Sequence, residues 1–270
     1  MFLVTTDGSA TSARRSDVLA LCYHAVDEEW PADLSLTPDA FARQLDFLLD
    51  RGYRAATFTE SIVAPPSQRT VAITFDDGFR SVIDCAFPLL AERGFVATVF
   101  VPTAFIDAGR PASWDGVSRW LGTEHEHKML PLTHAELRQL ADAGWEIGSH
   151  TCTHPHLTRL DDDALSSELV ESRRRCGELV GRCTSLAYPY GDFDDRVQRA
   201  AAKAGYRTAG TIPSRFHSTD PLAWPRVGIW HSDSDRVFRV KVSPSVRRLR
   251  RSAVWDALDK SRRALRRVSA

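Results

Sequence analysis

The chain of 270 residues balances 35 Lys and Arg against 35 Asp and Glu and is 43% hydrophobic, which suffices to bury the core of one large domain; nothing in its centre reads as disordered. Five cysteines, an odd number without a zinc-type pair, argue against a disulfide framework. The stretch Met1 to Arg15 lacks the apolar core of a secretory signal, and no run of 18 apolar residues is available to span a bilayer, so the expectation is a reducing, cytoplasmic setting.

In chain order, residues 1–15 read as a flexible N-terminus, 16–235 as one catalytic domain and 236–270 as an appended tail. Strands are expected at Val18–Tyr23, Tyr53–Thr57, Val71–Phe75, Val96–Val101, Trp145–Gly148, Ser185–Tyr188, Tyr206–Gly210 and Val227–Trp230. Helices lie between them. Thr37-Pro38 starts one with Phe41, Leu45, Leu48 and Leu49 on one face, and Thr133 with Glu136 forms a capping box. Arg51-Gly52-Tyr53, Arg93-Gly94-Phe95, Ala143-Gly144-Trp145 and Ala204-Gly205-Tyr206 each end a helical stretch with glycine. Alternating βα units of this kind imply an α/β protein with a parallel sheet or barrel. The loop from Pro102 to Pro131 is long for such a connection, and its Trp114 and Trp120 are candidate walls for a sugar subsite or, equally, packing residues of the loop.

Charge is uneven along the chain. Residues 236–270 hold twelve Lys or Arg and two Asp, a formal +10, which leaves −10 on residues 1–235. Within the tail Val246, Leu249, Ala253, Ala257, Leu258, Leu265 and Val268 fall near helical spacing among arginines. Such a basic amphipathic segment either rests on an anionic membrane at the inner face or packs on the barrel. Nucleic acid is not an expected partner, because no reading module accompanies the charge.

Two motifs carry chemistry. Ala72-Ile73-Thr74-Phe75-Asp76-Asp77-Gly78 places adjacent carboxylates at the tip of an apolar strand, where α/β enzymes keep their sites. Neighbouring strand residues face opposite ways, so both carboxylates serve one site only if the backbone turns, which Gly78 permits. A solvated Asp-Asp-Gly turn is the plain alternative. His150-Thr151-Cys152-Thr153-His154 puts two imidazoles on a strand end and the following loop, with Pro155 disfavouring helix at His154. Two imidazoles and one carboxylate around a zinc ion leave a position open for water, as hydrolysis requires; two unconnected loop histidines are the alternative.

With Ala187-Tyr188-Pro189-Tyr190-Gly191 as the third element, the order of motifs over residues 18–235 resembles the polysaccharide deacetylase family, also called carbohydrate esterase family 4 or the NodB homology domain, in its branch with this third motif. The resemblance implies an irregular (β/α) barrel of about seven parallel strands and a metal-dependent hydrolase that removes N-acetyl groups from sugars, oligosaccharides or polysaccharide precursors. It makes Asp76 the general base, Asp77, His150 and His154 the ligands of a divalent ion (Zn2+, or Co2+ in its place), and the backbone N–H of Tyr190 the oxyanion donor. Many members carry an Arg where this chain has Ala187; Arg226 is the candidate to supply that cation. For the general acid the resemblance favours His24, from an early Tyr-His segment, over His231. Rival functions are an O-acetyl esterase or non-sugar amidase, and a catalytically silent carbohydrate-binding module.

Overall fold

The computed structural model describes residues 18–64, 69–213, 216, 218–252 and 255. Seven parallel staves form the barrel. β1 (Leu19–Tyr23), β5 (Thr70–Phe75), β6 (Thr98–Val101), β7 (Glu146–Ser149), β8 (Ser185–Ala187) and β9 (Thr208–Thr211) pair successively, β1 and β5 through all five residues of β1. The seventh stave is one extended segment in two pieces, β10 (Trp224–Pro225) and β11 (Val227–Gly228), on either side of Arg226. Trp224 and Pro225 pair with β9, Val227 and Gly228 with β1. Arg226 N–H bonds Thr211 O and Ile229 N–H bonds Cys22 O, both at 2.9 Å, so this segment joins the two edges of the sheet. Two-residue β4 (Arg54–Ala55) pairs with the start of β5, and β2 (Ala25–Val26) with β3 (Ser35–Leu36) forms a separate parallel pair.

Alternation along the strands divides the core in two. Leu19, Leu21, Val71, Ile73, Phe75, Val99 and Leu186 point outward into the main apolar layer beneath the helices. Ala20, Ala72, Phe100, Ala187 and Trp224 point inward and pack with Phe58 and Ile62 of α2 (Phe58–Val63). The inward set is small because the lumen must also hold large side chains. Gly148 makes room for Phe100: a Cβ there would lie 2.5 Å from its ring.

The outer helices begin as their caps dictate. In α1 (Pro38–Asp50) the Thr37 side chain accepts from Ala40 N–H and Phe41, Leu45 and Leu48 are buried; α4 (His134–Asp142) carries the Thr133–Glu136 capping box. The remaining helices are α3 (Phe87–Ala91), α5 (Asp162–Val180), α6 (Asp195–Ala204), α7 (Asp235–Val242) and α8 (Pro244–Leu249). Phe238 and Val242 of α7 join the main core, and buried Arg247 of α8 donates to Val18 O and Tyr53 Oη, so the tail up to α8 packs at the end of the barrel where β1 begins. The expected N-terminal segment 1–15 and the tail's Ala253, Ala257, Leu258, Leu265 and Val268 lie outside the described residues. Among the described residues no helix is long and apolar enough to cross a membrane.

Candidate active site

At the C-terminal ends of the staves lies a cavity of about 490 Å3, whose walls include His24, Asp76, Asp77, Trp114, His150, His154, Tyr190 and Trp230. Asp76 continues β5 by one residue, its N–H bonded to Tyr23 O at 2.9 Å, and shares the inward parity of Ala72 and Thr74. Asp77 and Gly78 then take φ of 70° and 61°. These left-handed residues supply the turn that brings both carboxylates to one cavity. A Cβ on Gly78 would lie 2.8 Å from Val101 Cγ1, so space as well as φ requires glycine there.

The second motif turns the same way, with Thr151 at φ 68° and His154 at φ 62°. Glu168 of α5 accepts from the N–H groups of Cys152 (2.8 Å) and Thr153 (3.0 Å), and Thr151 Oγ1 accepts from His154 N–H at 3.1 Å. The loop is thereby fixed, and both imidazoles reach Asp77. Nε2 of His150 is 3.5 Å, and Nε2 of His154 3.4 Å, from Asp77 Oδ1. All three side chains are buried. His150 Nδ1 lies 2.8 Å from Ala187 O, which assigns its proton to that nitrogen and leaves Nε2 as a lone-pair donor. Asp77 Oδ1 is buried without a hydrogen-bond donor. Burial alone would raise the Asp77 pKa, but the two imidazoles hold it far below the usual carboxylate range. The three donor atoms lie within 4.8 Å of one another, so the arrangement fits a divalent cation; two nitrogens and an oxygen suit zinc or a related ion.

Asp76 has a different partner. Arg226 Nη1 and Nη2 donate to its two oxygens at 2.6 and 2.8 Å, and Nη1 also donates to Thr74 Oγ1 at 2.9 Å. The guanidinium is fully buried, and the absent side chain of Gly210 makes its place: a Cβ there would lie 2.5 Å from Arg226 Nε. Burial opposes ionisation of Asp76, but Arg226 and His150 outweigh it and hold the pKa to about 2. Thus Arg226, expected to replace the missing cation, does meet Asp76.

His24 faces the cavity from just past the end of the neighbouring strand β1, stacked on Trp230 with ring centroids 5.4 Å apart. One imidazole nitrogen lies within 4.8 Å of an Asp76 oxygen, and burial lowers its pKa against the pull of Asp77 and Asp76. His231 is exposed and lies against the β2–β3 pair, its N–H on Asp33 O (2.7 Å) and Nδ1 3.0 Å from Ser35 O. Tyr190 takes φ 60° and sets its ring edge-on to His154 at 4.7 Å; burial, Asp115 and Asp77 push its phenol up to about 12. Tyr188 belongs to the packed core rather than the cavity, donating to Leu222 O at 2.9 Å and stacked on Phe193.

Of the two loop tryptophans, Trp114 stacks on His154 at 4.3 Å, while Trp120 packs against Trp30 and His125 away from the cavity. Sequence reasoning missed Cys22, whose Sγ donates to Asp76 Oδ2 at 3.3 Å, and His156, stacked on the outer face of Tyr190 at 3.9 Å. Strand parity with Ala20 could have signalled Cys22; no local pattern marks His156.

The family model for polysaccharide deacetylases matches residues 64–209, just over half of the chain. The chain belongs to the polysaccharide deacetylase family. YxkH of Bacillus subtilis (strain 168), assigned by name to the polysaccharide deacetylases, is 27% identical over 232 residues that cover 84% of this deacetylase and 71% of YxkH. The chitooligosaccharide deacetylase of Sinorhizobium fredii is 28% identical over 192 residues, 69% of this chain and 70% of the relative. Among solved structures, the Streptococcus pyogenes deacetylase PplD in complex with acetate superposes with a TM-score of 0.71 at 23% identity, covering 84% of this chain and 98% of PplD. The deacetylase is accordingly a hydrolase on a NodB-type barrel.

Proposed function

We propose that the deacetylase removes acetyl groups from N-acetylated sugars or their oligomers, with Asp77, His150 and His154 holding a divalent ion, most simply zinc. The observation that carries this reading is the buried Asp77–His150–His154 triad beside the Arg226-clamped Asp76, both opening on one cavity. When bound, the ion polarises water and carbonyl groups as a Lewis acid. Asp76, ionised at neutral pH and oriented through both oxygens by Arg226, takes the proton of the attacking water. The left-handed turn at Tyr190 presents its backbone N–H to the oxyanion that forms on the acetyl carbonyl. His24 is neutral at rest and close to Asp76; it relays the acquired proton to the departing amine. Trp114 holds the His154 ring by stacking, and Trp230 does the same for His24.

The test is acetate release from N-acetylglucosamine oligomers by wild type and Asp76→Ala, with bound metal quantified in both. Activity lost in the variant while the metal stays is the expected result. Metal without activity in the wild type would shift the reading to an O-acetyl or non-sugar amide substrate, and a protein that binds no metal would overturn it.

A further inference from the structure

The lumen holds a second set of metal-binding atoms beside the triad. Cys22 Sγ, a carboxylate oxygen of Asp76 and an imidazole nitrogen of His24 lie within 4.8 Å of one another. Arg226 uses one lone pair on each oxygen of Asp76, out of the roughly four that a carboxylate offers, and the Cys22 thiol proton occupies another on Oδ2. A tetrahedral ion with bonds of about 2.3 Å to sulfur and about 2.0 Å to oxygen separates those two atoms by about 3.5 Å. The separation already present is 3.3 Å. His24 Nδ1 is buried without a partner, and His24 and Asp76 both line the cavity, which gives an ion its route in. Sulfur distinguishes this set from the triad, because thiolate selects soft, thiophilic cations.

We propose that Cys22, His24 and Asp76 form a second, inhibitory site for a thiophilic divalent cation such as Zn2+ or Cd2+. On binding, the Sγ–H bond breaks and its proton passes to the buffer; sulfur, nitrogen and oxygen each donate an electron pair to the ion, and nothing is oxidised or reduced. The positive charge of Arg226 and the cost of ionising a fully buried thiol make this site weaker than the triad, so it fills second. Its occupation withdraws Asp76 and His24 from proton transfer, and an excess of the activating metal shuts the enzyme off. That inhibitory consequence rests on the proposed roles of Asp76 and His24; the binding itself does not.

The experiment titrates wild type, Cys22→Ser and Cys22→Ala with Zn2+ and Cd2+, following bound metal per chain, the ultraviolet thiolate-to-cadmium absorption and acetate release. The wild type is expected to take up a second equivalent that alone brings the thiolate band, and zinc is expected to raise and then suppress its activity. In Cys22→Ala the band and second equivalent vanish, and the inhibitory zinc concentration rises roughly tenfold or more. His154→Ala, which lacks a triad ligand, keeps the thiolate band. A wild type that stops at one equivalent, a band that persists in Cys22→Ala and therefore arises from Cys85, Cys152, Cys176 or Cys183, or unchanged zinc inhibition in that variant would overturn the proposal. If the wild type releases no acetate, stoichiometry and band still decide the site, and only the functional reading fails.

Discussion

The two ends of the barrel hold their buried polar groups in opposite ways. Where the strands begin, Glu146 accepts from the Thr59 N–H at 2.8 Å, from the Thr59 hydroxyl and from the Thr98 hydroxyl at 3.3 Å, and Thr98 Oγ1 in turn accepts from Phe58 N–H. Two neutral hydroxyls of that half, Ser61 and Ser185, lack partners, but the Glu146 carboxylate is met by three donors. Where the strands end, His154 Nδ1 and His24 Nδ1 are buried without hydrogen-bond partners, Asp77 Oδ1 faces only the two triad imidazoles, and Asp77, Thr151, His154 and Tyr190 sit at positive φ. Each unmet group or strained residue costs on the order of 1–3 kcal/mol. One end is arranged for the folded chain alone, the other for something the chain has yet to bind.

The largest expected contrast is in activity. Asp77→Ala or His154→Ala should abolish metal binding at the triad and lower acetate release roughly a thousandfold or more, since the ion supplies several kcal/mol of charge stabilisation. Next comes Arg226→Met, which strands Asp76 as an uncompensated buried charge and should cost about 3–5 kcal/mol in urea unfolding. The same pair sets the acid response. Because the folded-state pKa of Asp76 is held down to about 2, its stabilisation is complete above the ordinary carboxylate range and disappears as pH falls through about 2. It amounts to on the order of 2 kcal/mol and should be missing from the acid-unfolding curve of Asp76→Asn. The smallest effect belongs to the base of the barrel: Glu146→Gln should cost about 1 kcal/mol of stability and leave kcat/KM unchanged.

Much of this contrast could be read from the chain. Seven of the eight expected strands fall within two residues of those observed at each end, because glycine stops and apolar runs mark both ends of each βα unit. The strand expected at Tyr53–Thr57 shrinks to Arg54–Ala55, since Thr57 is spent capping α2. The last stave was expected at Val227–Trp230 and instead begins at Trp224: Pro225 needs no donor in its pairing with Thr211, so the proline that speaks against a strand is tolerated. The triad was legible because ligand chemistry restricts residue type. His156 and Trp230 were not, since an imidazole or an indole joins a site only through contacts far apart in sequence, and Cys22 showed only its inward strand parity.

The closing stave has a consequence for how the protein comes into being. Arg226 lies at the junction where Trp224–Gly228 ties the first strand to the last, so the residue that orients Asp76 is delivered by the step that completes the cylinder. During synthesis the triad residues leave the ribosome well before Arg226 does. A nascent chain can therefore gather its ligands early yet stays chemically silent until its final strand arrives, and no proteolytic fragment ending before Gly228 should deacetylate anything.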